Sequence, residues 1–322
     1  MNGKRLKKWI SFFLCLAFMA GACSCKGLEM ENKAEEVEEY TKSEAMIFLA
    51  NERNRYQNSY TGKVWQVKTD EDETFDKLMI RNVKDFLEEV KLLNMLAEER
   101  GVQLTSQERE YVRQMTDIYY GGLSEADLSY IGCTREDVQK MYTQYYTACK
   151  MTDIVTNSVG SDISDSEAKV IRIMQIGTED VKKAKAILKR IKIDGAGFNS
   201  MASRYSELDQ IEVELRRGEK NDLIENTAFH LEEGQVSNIL FENGMYYIIR
   251  CTNGYDEAAT KQRKERILTA MQSLKYNEVM DPYRAQHNIV FFDRFWNEVN
   301  FRNGEGSTAE NFFDVYHANK GE

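Results

Sequence analysis

The sequence of 322 residues holds a single proline, Pro282, so its helical stretches run without the residue that most strongly breaks them. Its three histidines, His230, His287 and His317, are too scattered to build a metal site, and neither a metal nor any other cofactor is expected. The six cysteines include no CxxC pair, which argues against a dithiol redox motif. Positive charge is in deficit: 43 Lys+Arg against 53 Asp+Glu give a formal net charge of -10, a field that repels phosphate backbones, so nucleic acid is not an expected partner. No apolar run reaches the roughly 20 residues that cross a bilayer as a helix. What is present, 30% charged and 42% hydrophobic residues, suits a helix-rich chain long enough for more than one domain.

The N-terminus is a different kind of segment. Lys4, Arg5, Lys7 and Lys8 precede an apolar run over residues 9–19, the layout of a secretion signal. Ala20-Gly21-Ala22-Cys23 then resembles a bacterial lipobox, which implies a signal over residues 1–22 and acylation of Cys23. Ala20 stands where lipoboxes prefer leucine, and Cys25 is a second candidate. The resemblance places the protein outside the cytoplasm, anchored by lipid to the outer face of the bacterial cell membrane. Residues 23–40 are acidic, lack an apolar stripe and read as a flexible tether. Cys133, Cys149 and Cys251 lie within helical or strand patterns and read as small buried hydrophobes, with a Cys133 to Cys149 bridge left open.

Residues 41–160 read as an all-helical domain. Phe75, Leu78, Met79, Asn82, Phe86, Val90, Leu93, Leu96 and Ala97 share one helix face, which ends at Gly101. Thr105 with Glu108 forms a capping box for a helix carrying Tyr111, Met115 and Ile118. Thr134 and Asp137 start another, on which Val138, Met141, Tyr142, Tyr145 and Cys149 recur at three and four. Exposed methionines and tyrosines can grip unfolded chains, although core packing accounts for most of them. A polar join at residues 161–165 precedes a change of period. There the pattern predicts a strand over residues 169–176 and a helix capped by Thr178, with Glu179 and Asp180 in its first turn and Lys189, Arg190 and Lys192 in its last. A short helix over residues 198–205 and a strand over 245–251 after the Asn243-Gly244 turn complete a compact unit. Helix resumes after residue 255, with Ile267, Leu268, Met271 and Leu274 on one face and a stop or bend at Pro282. Residues 300–322, rich in Gly, Asn, Glu and Ser, are expected to be disordered.

The markers FNSMASRYSELD, TAFHLEEGQVS and NGMYYIIRC, in this order, resemble the parvulin-type peptidyl-prolyl isomerase domain over residues 161–256. From residue 43 to about 299 the chain is similar to the extracytoplasmic foldases PrsA and SurA, in which helical segments on both sides of a parvulin insert form a chaperone module. The resemblance implies an α+β fold, with residues 257–299 packing on that module. It also implies a function: binding exported, unfolded proteins and assisting their folding.

The family's working residues are then read position by position. Arg172 falls on its first histidine, Tyr247 on its second, and Leu208, followed by Asp209, on the cysteine or aspartate after Tyr-Ser. Lys220 and Ile224 fall on the methionine and phenylalanine of the proline pocket, and Phe229 keeps its character. The amide rotation that parvulins catalyse has a barrier of roughly 18–20 kcal/mol. Arginine cannot cycle a proton at neutral pH and tyrosine is neutral there, so an imidazole network is not rebuilt from these two. Arg172 is expected to pair with Glu214 or Asp209 and Tyr247 to fill the core. The reading is therefore a chaperone with weak or no isomerisation. The alternatives are an active isomerase in which Tyr247 and Asp209 contact the twisted amide, or a lipoprotein docking one partner; a homodimer is left open.

Overall fold

The computed structural model describes residues 35–38, 40–69, 73–157, 163–220, 222–291 and 293–321. The expected signal, Cys23, Cys25 and the first part of the tether lie outside the described residues. The chain forms two compact units, one from Met1–Ser158 with Ser273–Glu322 and one from Val159–Gln272. The architecture is α+β: a helical unit, and a unit with helices on an antiparallel sheet.

The helical unit begins with a strand, β1 (Glu35–Glu38), followed by α1 (Lys42–Ser59), α2 (Phe75–Glu99), α3 (Ser106–Gly121), α4 (Glu125–Ile131) and α5 (Arg135–Thr156). Reciprocal capping boxes open α1 (Thr41 with Glu44), α3 (Thr105 with Glu108), α4 (Ser124 with Asp127) and α5 (Thr134 with Asp137). Each satisfies two otherwise unpaired N–H groups at a helix start. The buried stripe of α2 runs from Met79 through Val83, Phe86, Val90 and Leu93 to Ala97. On α3 the buried residues are Val112, Met115, Thr116 and Tyr119 rather than the expected Tyr111 and Ile118, and Ile118 is exposed. The face turns because Tyr119 packs edge-on against Tyr142 and Phe312. Cys133 and Cys149 are free thiols, so the bridge left open by the sequence is absent.

The second unit carries α6 (Asp165–Ala168), β2 (Val170–Thr178), α7 (Val181–Lys192), α8 (Phe198–Tyr205), β3 (Glu212–Arg216), α9 (Asp222–His230), β4 (Leu240–Glu242), β5 (Met245–Asn253) and the start of α10 (Glu257–Gln286). The antiparallel sheet has the order β3-β2-β5-β4. One face packs Met174, Ile176 and Ile248 against α7 and α8, while the other packs Ile171, Ile173, Leu215 and Ile249 against α9. Asp180, not Thr178, caps α7: its carboxylate accepts the Lys182 N–H at 2.7 Å, because Thr178 still belongs to β2. Asn243 (φ 50°) and Gly244 (φ 82°) supply the two left-handed residues of the β4–β5 hairpin.

The chain returns to the helical unit within α10 and adds β6 (His287–Val290), α11 (Asp293–Glu298) and α12 (Phe312–Asn319). Pro282 lies inside α10 and does not end it. Tyr276, Met280 and Tyr283 are buried there, whereas Met271 and Leu274 of the expected face are exposed. Tyr276 Oη donates to Glu89 on α2, and Arg284 donates two further bonds to that carboxylate at 3.0 and 2.9 Å, which fixes the stripe. Two segments expected to be free are held. β1, within the expected tether, pairs in parallel with β6, and Tyr40 is buried.

The expected disordered tail folds into the centre of this unit. Phe312, Phe313, Val315 and Tyr316 are buried, and the Phe312 ring stacks on Tyr142 with centroids 4.0 Å apart. Polar residues on the buried stretch of α1, Glu44–Asn54, hold the preceding segment: Arg53 donates to the Phe301 and Ser307 carbonyls, Asn54 to the Ala309 carbonyl, and Asn51 accepts the Phe312 N–H. Asp127 accepts the Thr308 and Ala309 N–H groups at 2.7 and 3.0 Å. Composition suggested fraying, but one apolar octet within the polar segment is enough to dock it.

Candidate functional site

The register of the two central strands fixes which residues meet. Gly177 lies opposite Tyr247, Gln175 opposite Ile249 and Ile173 opposite Cys251, with an irregularity only between Arg172 and Ile173. Side chains alternate along a strand, so Ile173, Gln175 and Gly177 share the α9-facing side with Tyr247 and Ile249. Tyr247 is half-buried beside the core of that face, and β4 places Leu240 opposite it.

Leu208 closes over Gly177. A Cβ at Gly177 would lie 2.7 Å from Leu208 Cγ, so the leucine fills the space that any larger residue there would need. The segment that delivers it is stitched to the end of β2. Ser206 Oγ accepts the Gly177 and Leu208 N–H groups at 3.3 Å, and the Glu207 N–H donates to the Gly177 carbonyl at 2.8 Å. The Glu207 carboxylate takes bonds from Lys183, the Glu179 N–H and Thr178 Oγ1, and these hold its pKa down at about 2.

Gln175 is the polar side chain that sequence reasoning missed. It is buried, its Nε2 donates to the Gln210 carbonyl at 2.9 Å, and its Oε1 is buried without a hydrogen-bond partner. The signal was available in Met174-Gln175-Ile176: a lone amide between apolar neighbours.

Arg172 is elsewhere. It is separated from Gly177, and hence from Tyr247, by five residues along β2, roughly 17 Å of extended chain. Its half-exposed guanidinium bonds Asp256 at 2.5 Å and, at 3.3 Å, Glu214, its cross-strand neighbour. The expected pairing with Glu214 is present, but Asp256 is the nearer partner and Asp209 takes no part. The bond to Asp256 also raises the Arg172 pKa further. Asp209 is exposed, Lys220 is half-buried and Ile224 is buried within the α9 face. Phe229 is covered on its ring by the Arg217 guanidinium, 4.3 Å from the centroid. The structure thus brings together Gln175, Gly177, Leu208 and Tyr247, and leaves Arg172 outside the group.

This group contains a phenol, an amide and an aliphatic side chain. It can offer hydrogen bonds to an amide, and none of its four members is a carboxylate, thiol or imidazole.

No family model matches the chain. Foldase protein PrsA of Streptococcus mutans is 28% identical over 205 residues, a match that takes in 56% of this chain and 60% of that relative. The chain resembles PrsA. It spans about 60% of the length of this curated relative. Among solved structures, PrsA from Bacillus cereus is 18% identical, with 77% of this chain and 97% of that one covered at a TM-score of 0.32. PrsA from Streptococcus pneumoniae is 17% identical, with 72% and 97% covered at a TM-score of 0.29. The α+β assignment of this PrsA-like chain rests on its own strand order and register.

Proposed function

We propose that this PrsA-like protein is an extracytoplasmic foldase that binds exported, unfolded proteins while held to the membrane by lipid on Cys23, and that its parvulin-like unit has lost rapid isomerisation. The observation that carries the second part is the β2–β5 register, in which Gly177 lies opposite Tyr247, Gln175 is diagonal to it and Arg172 is five residues away. Gln175-Ile176 then takes the place of the His-Ile pair in the opening strand of the parvulin resemblance, and Leu208 the place of the acid or thiol. Neutral hydrogen bonds contribute about 1 kcal/mol each. Two of them strengthening only in the twisted amide would speed rotation by about 30-fold, little of a barrier of roughly 18–20 kcal/mol.

A second reading is favoured by one atom. The unpartnered Gln175 Oε1 is an acceptor that a substrate N–H could satisfy, so a slow isomerase acting through Gln175 and Tyr247 is the alternative. Acceleration beyond about 30-fold that is lost on substitution of either residue separates the two readings, because only the slow isomerase reaches it.

The foldase reading is tested on clients. Added at equimolar ratio, the protein should delay aggregation of several unrelated unfolded proteins. Protection confined to a single client would point instead to a dedicated docking protein. Mass spectrometry of the mature N-terminus tests the anchor: a diacylglyceryl adduct on Cys23 is expected, and one on Cys25 or none contradicts the assignment.

A further inference from the structure

One face of α7 runs against the charge of the molecule. Lys182, Lys185, Lys189 and Lys192 are exposed, and their spacing of three, four and three puts them in one arc of the helix about 15 Å long, opposite the buried Ala184 and Ile187. Among the described residues no carboxylate forms an ion pair with any of the four; Lys192 meets only the neutral Asn238 amide at 3.1 Å. The neighbouring Lys183, by contrast, is paired with Glu207. Helix stability accounts for only part of the row: Lys189 and Lys192 in the last turn suit the helix dipole, whereas Lys182 sits in the first turn, where a cation opposes it. At the C-terminal end of the row Ile193 is 73% exposed, the most exposed of the large hydrophobic residues among the described residues.

We propose that this face is a docking surface for an anionic phospholipid bilayer, with the four lysines over the headgroups and Ile193 entering the interface. Charge complementarity selects the partner. Unpaired lysines gain by approaching a negatively charged leaflet, and an exposed aliphatic side chain beside them gains only where an apolar layer lies beneath the charge. The net charge of -10 does not prevent this, since a screening length of about 8 Å at physiological salt leaves the local row to dominate at contact. The inference does not depend on lipidation of Cys23, because the contact is made by the folded unit itself.

Sedimentation with vesicles tests it, using the chain from Lys26 to Glu322, which keeps every described residue. Binding is expected to vesicles of 30% phosphatidylglycerol in phosphatidylcholine and not to phosphatidylcholine alone. K182Q/K185Q/K189Q/K192Q should lower the partition at least a hundredfold with an unchanged melting temperature, and I193S several-fold. Should the quadruple variant fail to fold, K185Q/K189Q should still lose about tenfold. Equal binding by a folded lysine variant overturns the proposal, as does no binding by the parent chain. Binding to soluble polyglutamate but not to vesicles would assign the face to acidic protein segments and likewise overturn it.

Discussion

Gly177 and Leu208 state the account at its smallest scale, because one is small so that the other can close the site. A methyl group at Gly177 would press on the Leu208 side chain, so Gly177→Ala should destabilise the second unit by about 1–2 kcal/mol, less if Leu208 rotates outward. Adding Leu208→Ala should recover most of that loss, and thermal melting of the single and double variants measures the coupling. Two buried carboxylates of the helical unit have opposite effects on stability. Burial pushes the Asp127 pKa up, but bonds from Ser124, Ser307 and the Ala309 N–H outweigh it and hold the value at about 2. Its folded pKa is depressed, so the stability it provides is present above pH 4 and is lost as pH falls from about 4 to 2. Glu52 is the reverse: burial outweighs Arg55 and raises its pKa to about 7. Its folded state holds the proton more tightly, so stability should fall as pH rises from about 4.5 to 7. Urea titrations across pH should therefore show a flatter slope between about pH 4.5 and 7 for Glu52→Gln and a flatter slope below about pH 4 for Asp127→Asn. The opposite assignment of the two slopes would contradict the buried placement of these groups.

At the scale of elements, α12 holds more of the fold than its position suggests. Phe312, Phe313, Val315 and Tyr316 each remove a large apolar side chain from water, worth about 1.5–3 kcal/mol apiece, against a typical total stability of 5–15 kcal/mol. Phe312→Ala should cost about 3–5 kcal/mol, and removal of residues 311–322 should leave the helical unit unfolded or molten by near-ultraviolet circular dichroism. Elements with local causes were legible in the sequence: the capping boxes at Thr105 and Thr134, the helix Phe198–Tyr205 and the Asn243-Gly244 turn each depend on residues within a few positions. Register was not. A strand of apolar residues reads almost alike when shifted, so the sequence put Arg172 at the histidine position, whereas the pairing of β2 with β5 leaves Gln175 nearer to Tyr247 than Arg172. The docking of α12 escaped notice for a related reason. Its partners, Asn51, Arg53 and Asn54, lie some 250 residues away and look like surface residues until the tail covers them.

At the scale of the whole molecule, a PrsA-like chain folds into an α+β structure whose two central strands, β2 and β5, carry no histidine, aspartate or glutamate. In the function proposed above, client binding is the property that remains, and the proposed membrane contacts, through lipid on Cys23 and through the lysine face of α7, would keep the protein where exported chains emerge. The most direct test of that claim is the cis–trans exchange rate of a proline-containing peptide, measured by NMR with the mature protein added in catalytic amount. The account expects less than about 30-fold acceleration per bound peptide, unchanged in Arg172→Ala. Rapid exchange that disappears in both Tyr247→Phe and Gln175→Ala would contradict it, and would establish these two residues as the centre of a working isomerase.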